Sequence, residues 1–362
     1  MLKKIYKKII IIFFSLINKK ISILNKNKKF NFIRKKKIFS NIYLFEINKG
    51  KIFTNSVNDT AYLYENKLIE GPSYQYRDSK QASIYNNFVL KNGTPKFLKK
   101  INENIISLLS SGPCKHNYGH WVLEVLTRYS LISELKKKNK NDYYLVPSLK
   151  NSFQRETFKY LRINKKNIIA SDKIKYIQGK KIICISHPFQ HDFTKISKRV
   201  IFKTKNIFSK FKNISKINRF DKIFINRDYS HLDLSENNLE KLKNYRVLLN
   251  HKDISEYLKK KGFITLYLSK LSMADQIKIF AEAKIIVSML GAELSNLIFC
   301  KSKTRIIEIT NYRGTKDFYN ISKKCGLKHS QIRLKPVYNS EIPQNGILYC
   351  PIKKIERALL NH

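Results

Sequence analysis

The spacing of apolar and polar residues changes character along the chain. Between residues 40 and 110, short apolar runs alternate with polar turns and with Gly71-Pro72 and Gly93-Thr94-Pro95, which predicts mixed strands of modest length. From 117 the spacing turns helical. Tyr143–Val146 then reads as a strand, Phe153–Leu161 as a helix, and Lys181–Ile185 as a strand ending at His187-Pro188. Residues 194–220 are rich in Lys, Asn and Ser, and read as a polar helix or a linker at a domain boundary. Beyond them the alternation is cleaner. Ile223–Asn226 predicts a strand, Ile254–Lys261 a helix stopped by Gly262, Phe263–Leu268 a strand, and Ser272 caps a helix running to Ala283. The segment 281–310 follows: an apolar strand Ile285–Val287, a turn at Gly291-Ala292, helical character from Glu293 to Phe299, and a second strand running through Ile306 and Ile307 into Glu308. A helix is expected at Asp317–Cys325. Strands alternating with short helices predict a parallel α/β sheet with right-handed crossovers.

The N-terminus places four lysines ahead of the apolar stretch Ile9–Ile17. That stretch is too short to span a bilayer and lacks a small-residue cleavage site. It reads as a basic, partly apolar segment on a membrane surface, or as a first element packed on the core.

A chain of 362 residues with 43% hydrophobic positions can build two or three domains with real cores. The net charge of +46 first suggests a nucleic-acid binder. Yet Lys heavily outnumbers Arg and travels with Asn and Ile throughout, the mark of a coding bias. No Arg-rich or aromatic-interleaved stripe appears, so no nucleic-acid partner is expected. The charge still favours anionic membranes and nucleotide-linked substrates. Cys114, Cys184, Cys300, Cys325 and Cys350 are scattered, form no C-x-x-C pair, and point to reduced thiols in a cytoplasmic protein. Pro188 lies between His187 and His191, so both read as loop residues rather than a metal-binding helix face.

Two stretches carry candidate chemistry. In Asn117–Arg128, His120, Glu124 and Arg128 recur every four residues and share one helix face, as a general base with its partners or as a solvated, ion-paired face. The turn at Gly291 would set a helix N-terminus at the edge of a parallel sheet, where α/β folds hold phosphorylated ligands; an ordinary βαβ unit gives the same pattern. Arg227 closes one strand and Arg246 opens the run to Asn250, and either guanidinium suits a phosphate. No D-x-D occurs, nor G-x-x-x-x-G-K-[ST], G-x-S-x-G or H-E-x-x-H. That argues against diphosphate held through a divalent ion and excludes P-loop, α/β-hydrolase and zincin readings.

Taken in order, NYGHWVLEVLTRY (117–129), IFINR (223–227), RVLLN (246–250), LSMADQIKIFAEAKIIVSMLGAELSN (271–296) and RIIEIT (305–310) resemble glycosyltransferase family 61, which includes capsular-polysaccharide enzymes. The resemblance implies a GT-B-like α/β fold, two Rossmann-like lobes facing a cleft. It also implies inverting, metal-independent transfer from a nucleotide sugar to a hydroxyl of a cell-surface polysaccharide or lipid-linked glycan, with no cofactor. On that analogy Glu124 is the base, with His120 orienting it or substituting for it. Arg128, Arg227, Arg246, Asn250, Gly291, Ala292, Leu294, Ser295, Asn296 and Glu308 fall on the substrate and nucleotide side, Glu308 toward the ribose.

Four positions depart from the family pattern: Thr127 stands for Pro, His251 for an acid, Leu290 for His and Glu293 for Gly. Leu290 and Glu293 motivate an alternative, a degenerate relative that binds glycan or membrane without catalysis. The domain reading is a basic segment 1–39, an acceptor-side lobe 40–205, a nucleotide-sugar lobe 206–330, and a tail 331–362 packing back on the first lobe. The expected location is cytoplasmic, peripheral on the inner face of the membrane.

Overall fold

The computed structural model describes residues 2–17, 20–24, 31–77, 80–81, 83–187 and 192–360. The chain forms two compact units, Met1–Lys195 and Ile196–His362. His191 lies outside the described residues.

Two sheets build the first unit. One has six strands in the order Ile168–Ala170, Tyr143–Val146, Ile105–Ser107, Lys181–Ile185, Ile42–Asn48, Ile33–Phe39. Its first four strands run parallel and the last two antiparallel. The other sheet is mostly antiparallel and is built around the hairpin Lys51–Ser56 with Asp59–Tyr64. Ile47, Ile52, Ile105, Leu145, Ile177 and Ile182 form the core of this unit. The first unit is therefore richer in antiparallel pairing than a Rossmann-like lobe, because the polar turns between 40 and 81 are short enough to make hairpins rather than crossovers. Residues 33–39, set apart on sequence grounds as part of a basic segment, pair with Ile42–Asn48 in the six-stranded sheet.

The second unit follows the predicted alternation closely. Its main sheet has five strands in the order Ile264–Leu266, Lys222–Ile225, Ile285–Met289, Arg305–Asn311, Lys328–Leu334, all parallel. Numbered within this sheet the order is 2-1-3-4-5, that of a doubly wound α/β fold, with its switch point between Lys222–Ile225 and Ile285–Met289. The helix after Ser272 is capped as expected, the Ser272 hydroxyl accepting the Asp275 N–H at 3.2 Å. Asp317–Cys325 is helical and ends on Gly326, whose φ of 71° is left-handed. Residues 194–220 hold a helix, Lys198–Phe208, that buries Val200, Ile201, Thr204 and Phe208.

Arg246–Leu248 leaves the main sheet and pairs with Gly346–Leu348 in a separate three-stranded sheet. The stretch 331–362, read from sequence as a tail on the first lobe, is part of the second unit. Ile332, Leu334, Leu348, Cys350 and Ile355 are buried in one core with Phe224, Val287 and Ile307. The amphipathic spacing of Ile352–Leu360 supplies the physical reason, since its apolar face needs a sheet to cover.

Candidate active site

In the first unit, Asn117 starts the helix by accepting the His120 N–H on its side-chain oxygen (3.2 Å). From Trp121 to Leu126 the backbone widens into a π-helix with all six residues buried. The Thr127 hydroxyl donates to the Leu123 carbonyl at 2.6 Å within this widened stretch. π-Turns recur at functional sites, and this one carries Glu124. Trp121 pins the helix by donating to Thr157 (3.0 Å).

Glu124 is fully buried at the centre of a polar cluster. Oε1 accepts from His120 Nδ1 (2.6 Å) and the Ser111 hydroxyl (2.9 Å). Oε2 accepts from the Ser110 hydroxyl (2.5 Å), the Ser111 N–H (3.1 Å) and the Cys114 thiol (3.4 Å). Burial first, and then the Glu124 carboxylate, push the Cys114 thiol well above its ordinary range, so the S–H stays on and donates. His187 completes the cluster, with Nε2 at 3.3 Å from Ser110 Oγ and 3.9 Å from Glu124 Oε2.

The His120 ring is about a quarter exposed, with Phe193 against it at 5.1 Å between centroids. Nδ1 is committed to Glu124, which leaves Nε2 as the nitrogen available to a ligand. Arg128 shares the helix but not the cluster: it is buried and donates to the Ile185 carbonyl at 3.0 Å, fixing the end of the strand that leads to His187. From sequence, Cys114 reads only as a reduced thiol and His187 as a loop residue, and Ser110 and Ser111 go unread; the signal that could have found the serines is their place just ahead of Gly112-Pro113 and the helix.

In the second unit the candidate residues gather at the switch point. Arg227 follows Lys222–Ile225, and Gly291 follows Ile285–Met289. Arg227 Nη2 and Arg246 Nη1 both donate to the Leu290 carbonyl, each at 3.1 Å. Burial, and next the neighbouring Arg227, push the Arg246 guanidinium down to about 10. Among the described residues the carboxylate beside them is that of Glu293, whose Oε1 lies 3.3 Å from Arg227 Nη2.

Gly291 has extended backbone, so its need for glycine is one of space. A Cβ there would overlap the Arg227 guanidinium and the Glu293 carboxylate. Behind Arg227, the Asn226 side chain accepts the Arg227 N–H (2.9 Å) and meets His251 Nδ1 (3.1 Å). The Tyr229 hydroxyl accepts the Leu248 N–H (3.2 Å), tying the strand of Arg246 to this corner.

The remaining second-unit residues do not join the arginines. Ala292 to Phe299 forms a 3-10 helix in which Leu294, Ser295 and Asn296 turn inward, Asn296 donating to Gln276 at 3.1 Å. Asn250 clasps the Cys350 backbone through two hydrogen bonds, at 2.8 and 3.1 Å. Glu308 is fully buried at mid-strand, its Oε2 accepting from the Gln331 side-chain amide (3.2 Å) and lying 2.9 Å from His329 Nε2. An open pocket lies alongside, lined by Lys316, Tyr319, His329, Ser330, Gln331 and Arg333. No group of three or more His, Cys, Asp or Glu is placed to hold a metal among the described residues.

The chain is thus an α/β protein with paired guanidiniums at the switch point of a doubly wound sheet and, in its other unit, a carboxylate–imidazole pair. A family model described as Glycosyltransferase 61 matches residues 118–307, slightly more than half of the chain, so the chain belongs to glycosyltransferase family 61. The match starts at the helix of His120 and Glu124 and ends in the strand of Glu308. No curated protein matches the chain.

Proposed function

We propose that this glycosyltransferase moves a sugar, with inversion, from a nucleotide-sugar donor to a hydroxyl of a cell-surface polysaccharide or lipid-linked glycan on the cytoplasmic side of the membrane. The reading includes the GT-B organisation the family resemblance implies, with the donor on the second unit and the acceptor on the first. The observation that carries it is the convergence of Arg227 and Arg246 on the Leu290 carbonyl at the switch point. Two adjacent guanidiniums with one carboxylate neighbour among the described residues form a cation-rich corner that an incoming diphosphate would neutralise.

His120 is assigned as the base, and Glu124 as the group that orients it. A base must reach the acceptor hydroxyl, and Glu124 is fully buried with both oxygens engaged, whereas His120 keeps a nitrogen and an exposed edge. In the reaction, His120 Nε2 takes the acceptor proton as the acceptor oxygen bonds to the anomeric carbon. The bond from that carbon to the donor phosphate oxygen breaks on the opposite face. The diphosphate leaves with the electron pair, its charge met by Arg227 and Arg246, and Glu124 stabilises the imidazolium left behind.

The test is a screen of nucleotide sugars for nucleoside-diphosphate release with cell-envelope glycans as acceptors. His120→Ala should lower turnover about 10²- to 10⁴-fold, with partial rescue by added imidazole. Full activity in that variant would remove the base assignment.

A second reading is a binding relative without catalysis. It is favoured by one contact, the Glu293–Arg227 ion pair, which places a carboxylate where a phosphate would go. A panel of nucleoside diphosphates separates the two: no thermal stabilisation by any of them supports the binding relative.

A further inference from the structure

We propose that the N-terminal helix Leu2–Ile17 docks the protein on an anionic lipid surface, with Ile5, Ile9, Ile12 and Phe13 entering the interface. At helical spacing these four positions fall within an arc of roughly 100°. All four are open to solvent, between 49% and 60% exposed. Phe14 lies on the opposite side of the helix and packs edge-on against Phe97 at 5.2 Å. The helix thus touches the first unit on one side and presents the stripe on the other. Four large apolar side chains side by side form a patch that a soluble surface seldom leaves uncovered without a partner.

Charge selects the partner. Lys8 is exposed beside the stripe, whereas at helical spacing positions 3, 4 and 7 fall on the far side of the helix from it. A lysine at the edge of an apolar stripe meets lipid phosphate while the stripe enters the acyl boundary. The net charge of +46 adds long-range attraction to an anionic leaflet. A second copy of the chain would set like-charged faces together, which this composition opposes. Spanning is excluded on length, since no helix among the described residues is long and apolar enough to cross a membrane. The proposal stands independently of the transferase reading.

The experiment is co-sedimentation of the full chain with vesicles of phosphatidylcholine alone, or of phosphatidylcholine and phosphatidylglycerol at roughly 7:3. The chain is expected to partition onto the anionic vesicles, more weakly at high salt but without full release. The double variant Ile9→Glu/Phe13→Glu should lose at least about tenfold in partition coefficient. A thermal melt equal to wild type shows that the variant folds, and Ile9→Ser/Phe13→Ser serves if it does not.

Equal partition to both vesicle types, no partition to either, or unchanged partition of the variants overturns the proposal. So does a dimer in sedimentation equilibrium that the same variants disperse, which would show a second copy covering the stripe. Nucleoside-diphosphate stabilisation measured on the same preparations keeps a failure here distinct from a failure of the transferase reading.

Discussion

At the scale of single residues, Gly291 and Glu293 govern the donor corner. A methyl at 291 would overlap the ends of two flexible side chains rather than backbone, so the pair shifts and the fold stays. Gly291→Ala is expected to melt close to wild type while nucleoside-diphosphate affinity falls about tenfold or more, the loss of one charge-assisted hydrogen bond. Calorimetric titration beside a thermal melt checks both halves. Glu293 acts in the opposite sense. It pairs with Arg227 and repels an incoming phosphate, so Glu293→Gln should tighten the same ligand about tenfold. Weaker binding in that variant would mean that the carboxylate itself contacts the donor. The sequence marks both positions through their place after a buried strand, and marks Glu293 as a departure from the family pattern. It does not reveal that the carboxylate turns onto Arg227, because that contact spans 66 residues and depends on strand order.

At the scale of elements, strands and helices of the second unit are legible because local signals agree: β-branched runs, a Ser cap, and Gly at two helix ends. Asp317–Cys325 falls at the residues that the pattern indicates, as do Tyr143–Val146 and Lys181–Ile185 in the first unit. Two features are not legible. The π-turn at 121–126 keeps the apolar spacing of a helix and differs only in its hydrogen bonds. The departure of Arg246–Leu248 from the main sheet is decided by pairing with residues 100 positions away.

That pairing sets up the helix His251–Lys260, whose first residue is buried and meets Asn226. Burial, and next Lys252, lower the His251 pKa from its ordinary value of 6.5. The folded state therefore favours the neutral ring, and below that value the unfolded chain takes up the proton first. The contribution to stability is present above about pH 6.5 and declines as pH falls toward the lower folded value. Replacing His251 with Gln should flatten this part of the pH dependence in denaturant melts. An unchanged slope would place the titration elsewhere.

At the scale of the whole molecule, the family match joins two sets of groups that belong to different units: the imidazole–carboxylate pair of the first and the arginine pair of the second. If the first set moves the proton and the second holds the diphosphate, their losses take different kinetic forms. His120→Ala should lower kcat and leave donor affinity within about twofold, the pattern of an interaction made only in the transition state. Arg227→Ala should weaken the donor by about tenfold or more, since one charge-assisted contact contributes about 1.5–3 kcal/mol. It should lower kcat as well, because the charge it meets grows as the diphosphate leaves. Because this division assigns the leaving charge to guanidiniums, transfer is expected to survive a chelator at full rate, which a release assay run with and without added chelator checks directly. Loss of activity on chelation, restored by a divalent ion, would move that charge from the arginines to a metal. A His120→Ala variant that also lost nucleoside-diphosphate binding would show that the first unit holds the donor.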